Sequence, residues 1–342
     1  MRVSFVVCGN GYGHLKRTLQ VGSKIMEQDK EHVIQVIGAS YQQPLFTNWM
    51  VESGMNEGSW VFVNGQTETN LRLGLPDDYS FPDYCTSLKY IQENIEAFDP
   101  DRVVSDNLVG VLSHNKSALL MGSFLWSDVL PYEGRMSEVI DFEEDLLRKH
   151  APEMIGVADI VMPGAREKTH FIGMPWFCEP EPIRKLSTEG NGDCKRVLVT
   201  GGGTNTLTDA LHTLASTLSR ENRLKIFVDS KLFTTSPGEF EEFSFTENDF
   251  RKLDWIICRP GAGILTEAVR YRVPLCTLAD DNLEIVHNAA CMERLGIGFS
   301  HRSVKETTDI LLDRDTEKYC QAFEKLETGG AALAASHILK PS

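Results

Sequence analysis

Several classes of function are removed by what this 342-residue chain lacks. No apolar run approaches the ~18–20 residues that cross a bilayer, so no integral membrane segment is expected. The first apolar run ends in glycines, with no small-residue cleavage site behind it. It reads as a strand rather than a signal peptide, and a cytoplasmic protein is the default. Positive charge is scarce: 34 Lys and Arg stand against 49 Asp and Glu, for a net charge of −15. A general positive field for nucleic acid is excluded, while a local basic site for an anionic ligand is not. Paired cysteines are missing too. The eight cysteines (Cys8, Cys85, Cys178, Cys194, Cys258, Cys276, Cys291 and Cys320) never form CxxC, and the nine histidines are dispersed with no HExxH. Reduced, mostly buried thiols are expected and no metal site is.

Also absent is a dinucleotide fingerprint. That motif needs GxGxxG after a first strand and an acid about 20 residues further on. The opening "VSFVVCGNGYGHLKRTLQ" brings its third glycine one residue early, and the second strand ends "QVIGAS" without an acid. The later "GGGTNT", with Asp229 closing "LKIFVD", meets the acid criterion better but lacks the glycine spacing.

What is present is a strand–helix rhythm. "RVSFVV", "HVIQVIGA", "DRVVSD", "ALLMGSFLW" and "ADIVMP" read as strands, with helical spacing over 14–28, 84–97 and 137–149. The runs are short and β-branched, without long alternation. Such strands are buried on both faces, in a parallel sheet with helices outside. Prolines 163, 175, 180 and 182 and the stretch "STEGNGDC" then have a linker composition. The rhythm restarts with "KRVLVT", "LKIFVD", "DWIIC" and "VPLCTL". The expected domains are 1–163, a linker 164–194, a second domain 195–315 and a helical segment 316–342. In open parallel sheets ligands bind beyond the carboxyl ends of the strands.

"CRPGAGILTEAVRYRVPLCTL" carries the most information. A strand ends at Cys258, residues 259–263 turn, and a helix opens near Ile264. Glycines let backbone N–H groups approach a diphosphate, and a helix N-terminus favours its charge. Glu267, expected within about the first turn, either accepts hydrogen bonds from a ribose diol or complements the helix dipole.

This stretch, with the following "DDNLEIVHNAACMERLG", resembles the donor-site signature of GT-B glycosyltransferases, particularly the MurG-like group. The likeness extends upstream through "FSFTENDF" and "LVTGGGTNT", covering about 195–299, and more weakly to 3–30. The resemblance implies two Rossmann-like α/β/α domains facing across a cleft. It implies that Glu267 binds the donor ribose, and that Arg259, Gly261, Ala262, Gly263 and Ile264 meet the diphosphate. Phe243, Ser244 and Phe245 would line the base pocket, with the backbone around Phe245 reading the base edge. Gly203, Thr204 and Asn205 would approach phosphate or sugar, and Asp281, Asn282 and Glu284 the donor sugar. Two departures concern that sugar: Ile285 stands where the family has an amide, and Ala279 where it has a proline.

The same resemblance assigns the opening loop, with Gly11, Gly13 and Arg17, to the acceptor side. His14 is then either a general base or a helix cap; a helix N-terminus disfavours the cationic imidazole, which suits a base. Asp106, ending "DRVVSD", either orients His14 or caps the next helix. Arg17 either faces an anionic group or is solvated. His114 and Asp128 are further polar candidates. "DFEEDLLRKHAPE" reads as a solvated acidic helix face. The expectation is an inverting, metal-independent hexosyltransferase without cofactor, taking a nucleoside-diphosphate sugar, UDP-linked by the resemblance, and a hydroxyl acceptor. The alternatives are a nucleotide-sugar hydrolase or epimerase of the same fold, or a non-catalytic binding subunit.

Overall fold

Short apolar runs without alternation need cover on both faces, and the chain forms two wholly parallel sheets. The computed structural model describes residues 1–55, 57–65, 80–130, 135–181, 194–202, 206–235, 240–313 and 317–340. It contains two compact units, Met1–Phe177 with Gly329–Ser342, and Cys178–Thr328.

The first unit holds β1 (Arg2–Val7), β2 (Val33–Gly38), β3 (Trp60–Asn64), β4 (Arg102–Asp106), β5 (Leu119–Met121), β6 (Glu153–Val157) and β7 (His170–Met174). Their order is β3-β2-β1-β4-β5-β6-β7. The second holds β8 (Lys195–Thr200), β9 (Leu224–Val228), β10 (Glu241–Glu242), β11 (Trp255–Cys258), β12 (Leu275–Thr277) and β13 (Gly298–Ser300), ordered β10-β9-β8-β11-β12-β13. β1 is buried from its second residue onward and β11 throughout, as strands covered on both faces must be. In each sheet the order reverses once, between β1 and β4 and between β8 and β11. Such a reversal opens a crevice at the carboxyl ends of the strands. Register pairs Val7 with Asp106 at one crevice and Thr200 with Cys258 at the other.

Several boundaries differ from the sequence reading. "ALLMGSFLW" is a strand only over Leu119–Met121, followed by a short helix at Trp126–Val129. Gly122 ends it where Asn107 packs so closely that a Cβ would overlap the amide. "ADIVMP" is a turn; the strand is the preceding "EMIGV". Ile160, Val161 and Met162 are apolar because they are buried, not because they pair. The proline-rich stretch from 164 folds up to Met174. Pro163 opens the helix Pro163–Lys168, where its missing N–H costs nothing, and β7 follows. The helix Gly330–Ile338 lies against the helix Tyr12–Gln28, within the first unit. Gly330 donates its N–H to the Trp176 carbonyl at 2.9 Å, and a Cβ there would strike the Pro175 carbonyl.

The acidic helix Arg135–His150 is not solvated all round. Val139, Glu143, Leu146 and Leu147 share one face at helical spacing, and all four are buried. The Glu143 carboxyl takes a 2.8 Å hydrogen bond from the Tyr84 hydroxyl, while its Oε2 has no partner. Burial pushes its pKa up to about 8, against the lowering effect of the Tyr84 bond. The folded state therefore keeps a proton that the unfolded chain has released. Stability should fall as pH rises from about 4.5 to about 8, at up to roughly 1.4 kcal/mol per pH unit. Urea unfolding at pH 5 and pH 8 should show that loss in the wild type and a much smaller one in Glu143→Gln; equal slopes would refute the assignment.

Candidate functional site

The first unit places its chemistry at the β1/β4 crevice. β1 is followed by Cys8–Gly11 and then the helix Tyr12–Gln28. Gly11 has φ +112°, a left-handed value that a side chain resists, so glycine lets the helix start this soon after the strand. The loop is braced from the end of β2. Tyr41 donates to the Gly9 carbonyl at 2.6 Å and accepts from the Gly11 N–H at 2.7 Å. Gln42 donates to the carbonyls of Cys8 and Gly11 at 3.1 and 2.8 Å. Sequence reasoning missed both residues; "GASYQQ" follows the second strand, but nothing in it marks a partner 30 residues away.

Asp106, the last residue of β4, is fully buried. His14 Nδ1 lies 2.7 Å from its Oδ1. Arg17 grips it at both oxygens, Nε to Oδ2 at 2.9 Å and Nη2 to Oδ1 at 2.5 Å. His14 and Arg17 are three residues apart on the helix, hence on one face. Each keeps some exposure, 13% and 12% of the side chain, whereas Asp106 keeps none. Burial alone would raise the Asp106 carboxyl. The charges of Arg17 and His14, with their hydrogen bonds, outweigh it and hold the pKa below the usual carboxylate range. An ionised carboxylate only accepts, which places a hydrogen on Nδ1; in the neutral imidazole the lone pair is then on Nε2. Arg17 therefore has an anionic partner inside the chain, Asp106, and the Asp106 side chain does not cap the helix that follows β4. Gly13 lies in the first helical turn rather than in the loop.

The second unit's crevice is flanked by the loop after β8 and by Arg259–Gly261 after β11. Gly203, Thr204 and Asn205 lie outside the described residues. Asp229 holds the start of the β8 loop, accepting from the Thr200 hydroxyl at 2.7 Å and the Gly201 N–H at 3.1 Å. It also accepts from the Leu232 N–H, so it is engaged within the chain rather than free for a ribose.

Gly261 caps the helix Ala262–Tyr271 with an ordinary φ of −74°, and nothing stands within 4 Å of where its Cβ would be. Neither conformation nor packing asks for glycine here. Ala262, Gly263 and Ile264 form the first helical turn; Glu267 is in the second, half-exposed. Arg259 is buried, with Nε on Asp280 at 2.7 Å. Burial would raise the Asp280 carboxyl, but Arg259 holds it low, helped by the Asn282 N–H. Asn282 uses its Oδ1 to cap the helix Leu283–Leu295. Asp281 is exposed, Glu284 is half-buried in the first helical turn, and Ile285 is fully buried and faces the core.

Asn288, inside the "HNAA" stretch but not singled out, donates to the Pro260 carbonyl at 2.9 Å and to Glu284 at 3.4 Å. It ties the glycine turn to the helix Leu283–Leu295. Phe245 has φ +56°, rare for a non-glycine residue, and is exposed. It stacks edge-on against Phe243 at 5.0 Å and Phe250 at 6.0 Å, and Phe250 lies flat on Tyr271 at 5.1 Å. Tyr271 is four residues beyond Glu267, so the aromatic group and the carboxylate share one helix.

No known family pattern matches the sequence, and no curated protein does. Solved structures do. The glycotransferase of kitacinnamycin is 15% identical over 98% of both chains, with a TM-score of 0.61. The glycosyltransferase SsfS6 of Streptomyces sp. SF2575, complexed with thymidine diphosphate, is 14% identical over 98% of this chain and 99% of that one, with a TM-score of 0.61. The spinosyn rhamnosyltransferase SpnG, complexed with spinosyn aglycone, is 16% identical over 99% and 95%, with a TM-score of 0.57. These likenesses show that the chain has the GT-B fold. They do not single out the MurG-like group within it. Among the described residues no helix is long and apolar enough to cross a membrane.

Breaking a buried ion pair on one side costs ~3–5 kcal/mol. Arg17→Met should lose about that much at pH 7, measured by urea unfolding. Because the folded Asp106 carboxyl titrates below its unfolded value near 3.8, its contribution is full above that range and disappears as pH falls through the depressed value. The deficit of Arg17→Met should therefore shrink below about pH 4. A neutral-pH loss under ~1 kcal/mol would show that water substitutes for the guanidinium.

Proposed function

We propose that the chain is an inverting glycosyltransferase moving a hexose from a nucleoside diphosphate to an acceptor hydroxyl. The observation that carries this is the fully buried Asp106 holding His14 by Nδ1. A carboxylate fixed there orients the imidazole and stabilises the imidazolium that forms on proton abstraction. His14 Nε2 takes the proton of the acceptor hydroxyl as its oxygen attacks the anomeric carbon. The carbon–oxygen bond to the diphosphate breaks on the opposite face, inverting the centre. The leaving diphosphate is received by the backbone N–H groups of Ala262, Gly263 and Ile264 at the helix N-terminus, the Gly261 N–H being bonded to the Arg259 carbonyl, with no metal required. Arg259, whose Nε alone is committed to Asp280, supplies further donors. Glu267 takes the ribose and the Phe243–Phe245 segment the base. Eight free cysteines suit a reducing cytoplasm.

A pyrimidine diphosphate is the expected donor carrier, uridine by the sequence resemblance and thymidine by the complexes among the similar structures. Thermal shift with uridine, thymidine and guanosine diphosphates ranks them, since a ligand of the native state raises its melting temperature. His14→Ala should lower turnover ~10²–10⁴-fold with the nucleotide shift retained. Fast donor cleavage without any acceptor would favour a hydrolase instead.

Gly261→Val should fold, because no atom opposes its side chain, yet bind the nucleotide at least ~10-fold more weakly because the methyls occupy the diphosphate position. Unchanged binding in that variant would remove the glycine turn from the donor site.

A further inference from the structure

The first unit has a cavity at the other end of its sheet from His14. It opens beside the starts of β4 and β5 and encloses about 220 Å³. Four basic side chains line it, each from a different element. Arg102 begins β4, Lys116 precedes β5, His150 ends the helix Arg135–His150, and His337 belongs to the helix Gly330–Ile338. One carboxylate, Glu153, lies among them, 3.1 Å from His337 Nε2. Arg102 gives one hydrogen bond to the Lys340 carbonyl. Among the described residues, the Lys116 and His150 side chains make no hydrogen bond or ion pair.

Composition does not predict this gathering of basic side chains in a chain with 49 Asp and Glu against 34 Lys and Arg. The helix dipole accounts for the two histidines, each in the last turn of its helix. It does not account for Arg102 on a strand or Lys116 on a loop. The cavity floor includes the buried apolar side chains of Val104 and Ala118. Arg102 and Lys116 carry like charges at one cavity, and an anion between them would offset their repulsion. An arginine fork, an ammonium point charge and imidazole N–H donors together suit a phosphate dianion better than a single carboxylate. We infer that this cavity binds a small phosphate-bearing molecule, as free phosphate or as a phosphate ester whose carbons meet the apolar floor. The site stands apart from the chemistry at His14 and does not depend on the reading of that site.

Thermal shift with inorganic phosphate and with glycerol 3-phosphate, at ionic strength fixed by sodium chloride, should give a saturable rise in melting temperature. Lys116→Met with His150→Asn removes no internal partner, so the double variant should melt normally without ligand and bind at least tenfold more weakly. Lys116→Glu, at an exposed position, provides a second variant with the charge reversed. Tighter binding of glycerol 3-phosphate identifies an ester as the occupant, and tighter binding of phosphate the free ion. No rise beyond that of sodium chloride, or an equal rise in wild type and both variants, overturns the inference.

Discussion

A buried carboxylate at the end of β4 sets the terms for the first unit. Asp106 ends a strand that lies between β1 and β5, where water does not reach it. Desolvating a charge there costs several kcal/mol unless the partner geometry is good. The partners are two side chains of the helix that follows β1, one turn apart. For His14 and Arg17 to reach Asp106, the helix must begin within a few residues of β1. That demands the left-handed backbone at Gly11 and a brace for the loop, which Tyr41 and Gln42 supply from the end of β2. One charge thus fixes the conformation of a glycine, the start of a helix and the identity of two residues across the sheet.

The physical reasons for success and failure in reading the sequence are separable. Central strands such as β1, β8 and β11 were legible because they are buried on both faces and hence apolar throughout. β3, β7 and β13 were not, because they lie at the sheet edges or are three residues long, and their burial is partial. "ADIVMP" misled in the opposite sense, since an apolar run records burial and not pairing. Glu143 was read as solvated because the acids beside it are plentiful; the helical spacing with Val139 and Leu147 was the overlooked sign.

As candidates, His14 and Asp106 in the first unit and Glu267 in the second could be named from strand ends and a resemblance. Tyr41, Gln42 and Asn288 could not be named as readily, because their contribution is a hydrogen bond to a backbone far away in sequence. Arg17 was visible, yet its partner became evident only once β1 and β4 were adjacent. Polar groups near the second crevice behave alike. Asp229, Asp280 and Asn282 all look available in the sequence, and all are engaged in shaping loops. A polar residue at the end of a strand is thus evidence of a crevice before it is evidence of a ligand.

The two glycine turns then separate on physical grounds that their sequences conceal. Both follow a strand at the order reversal of their sheet, and both open a helix. Gly11 is glycine for the sake of its own backbone: its φ excludes most side chains, while the space beside it is empty. Gly261 has an ordinary φ and empty space as well, so the folded chain gives no reason for a bare Cα. A demand that the folded chain does not make is one that a bound group can make, and the proposed diphosphate, approaching the first N–H groups of the helix, would make it directly. The opening loop, richer in glycine, is explained by folding. The "RPGAG" turn, poorer in glycine, keeps at Gly261 a glycine that folding does not explain and that the proposed diphosphate would.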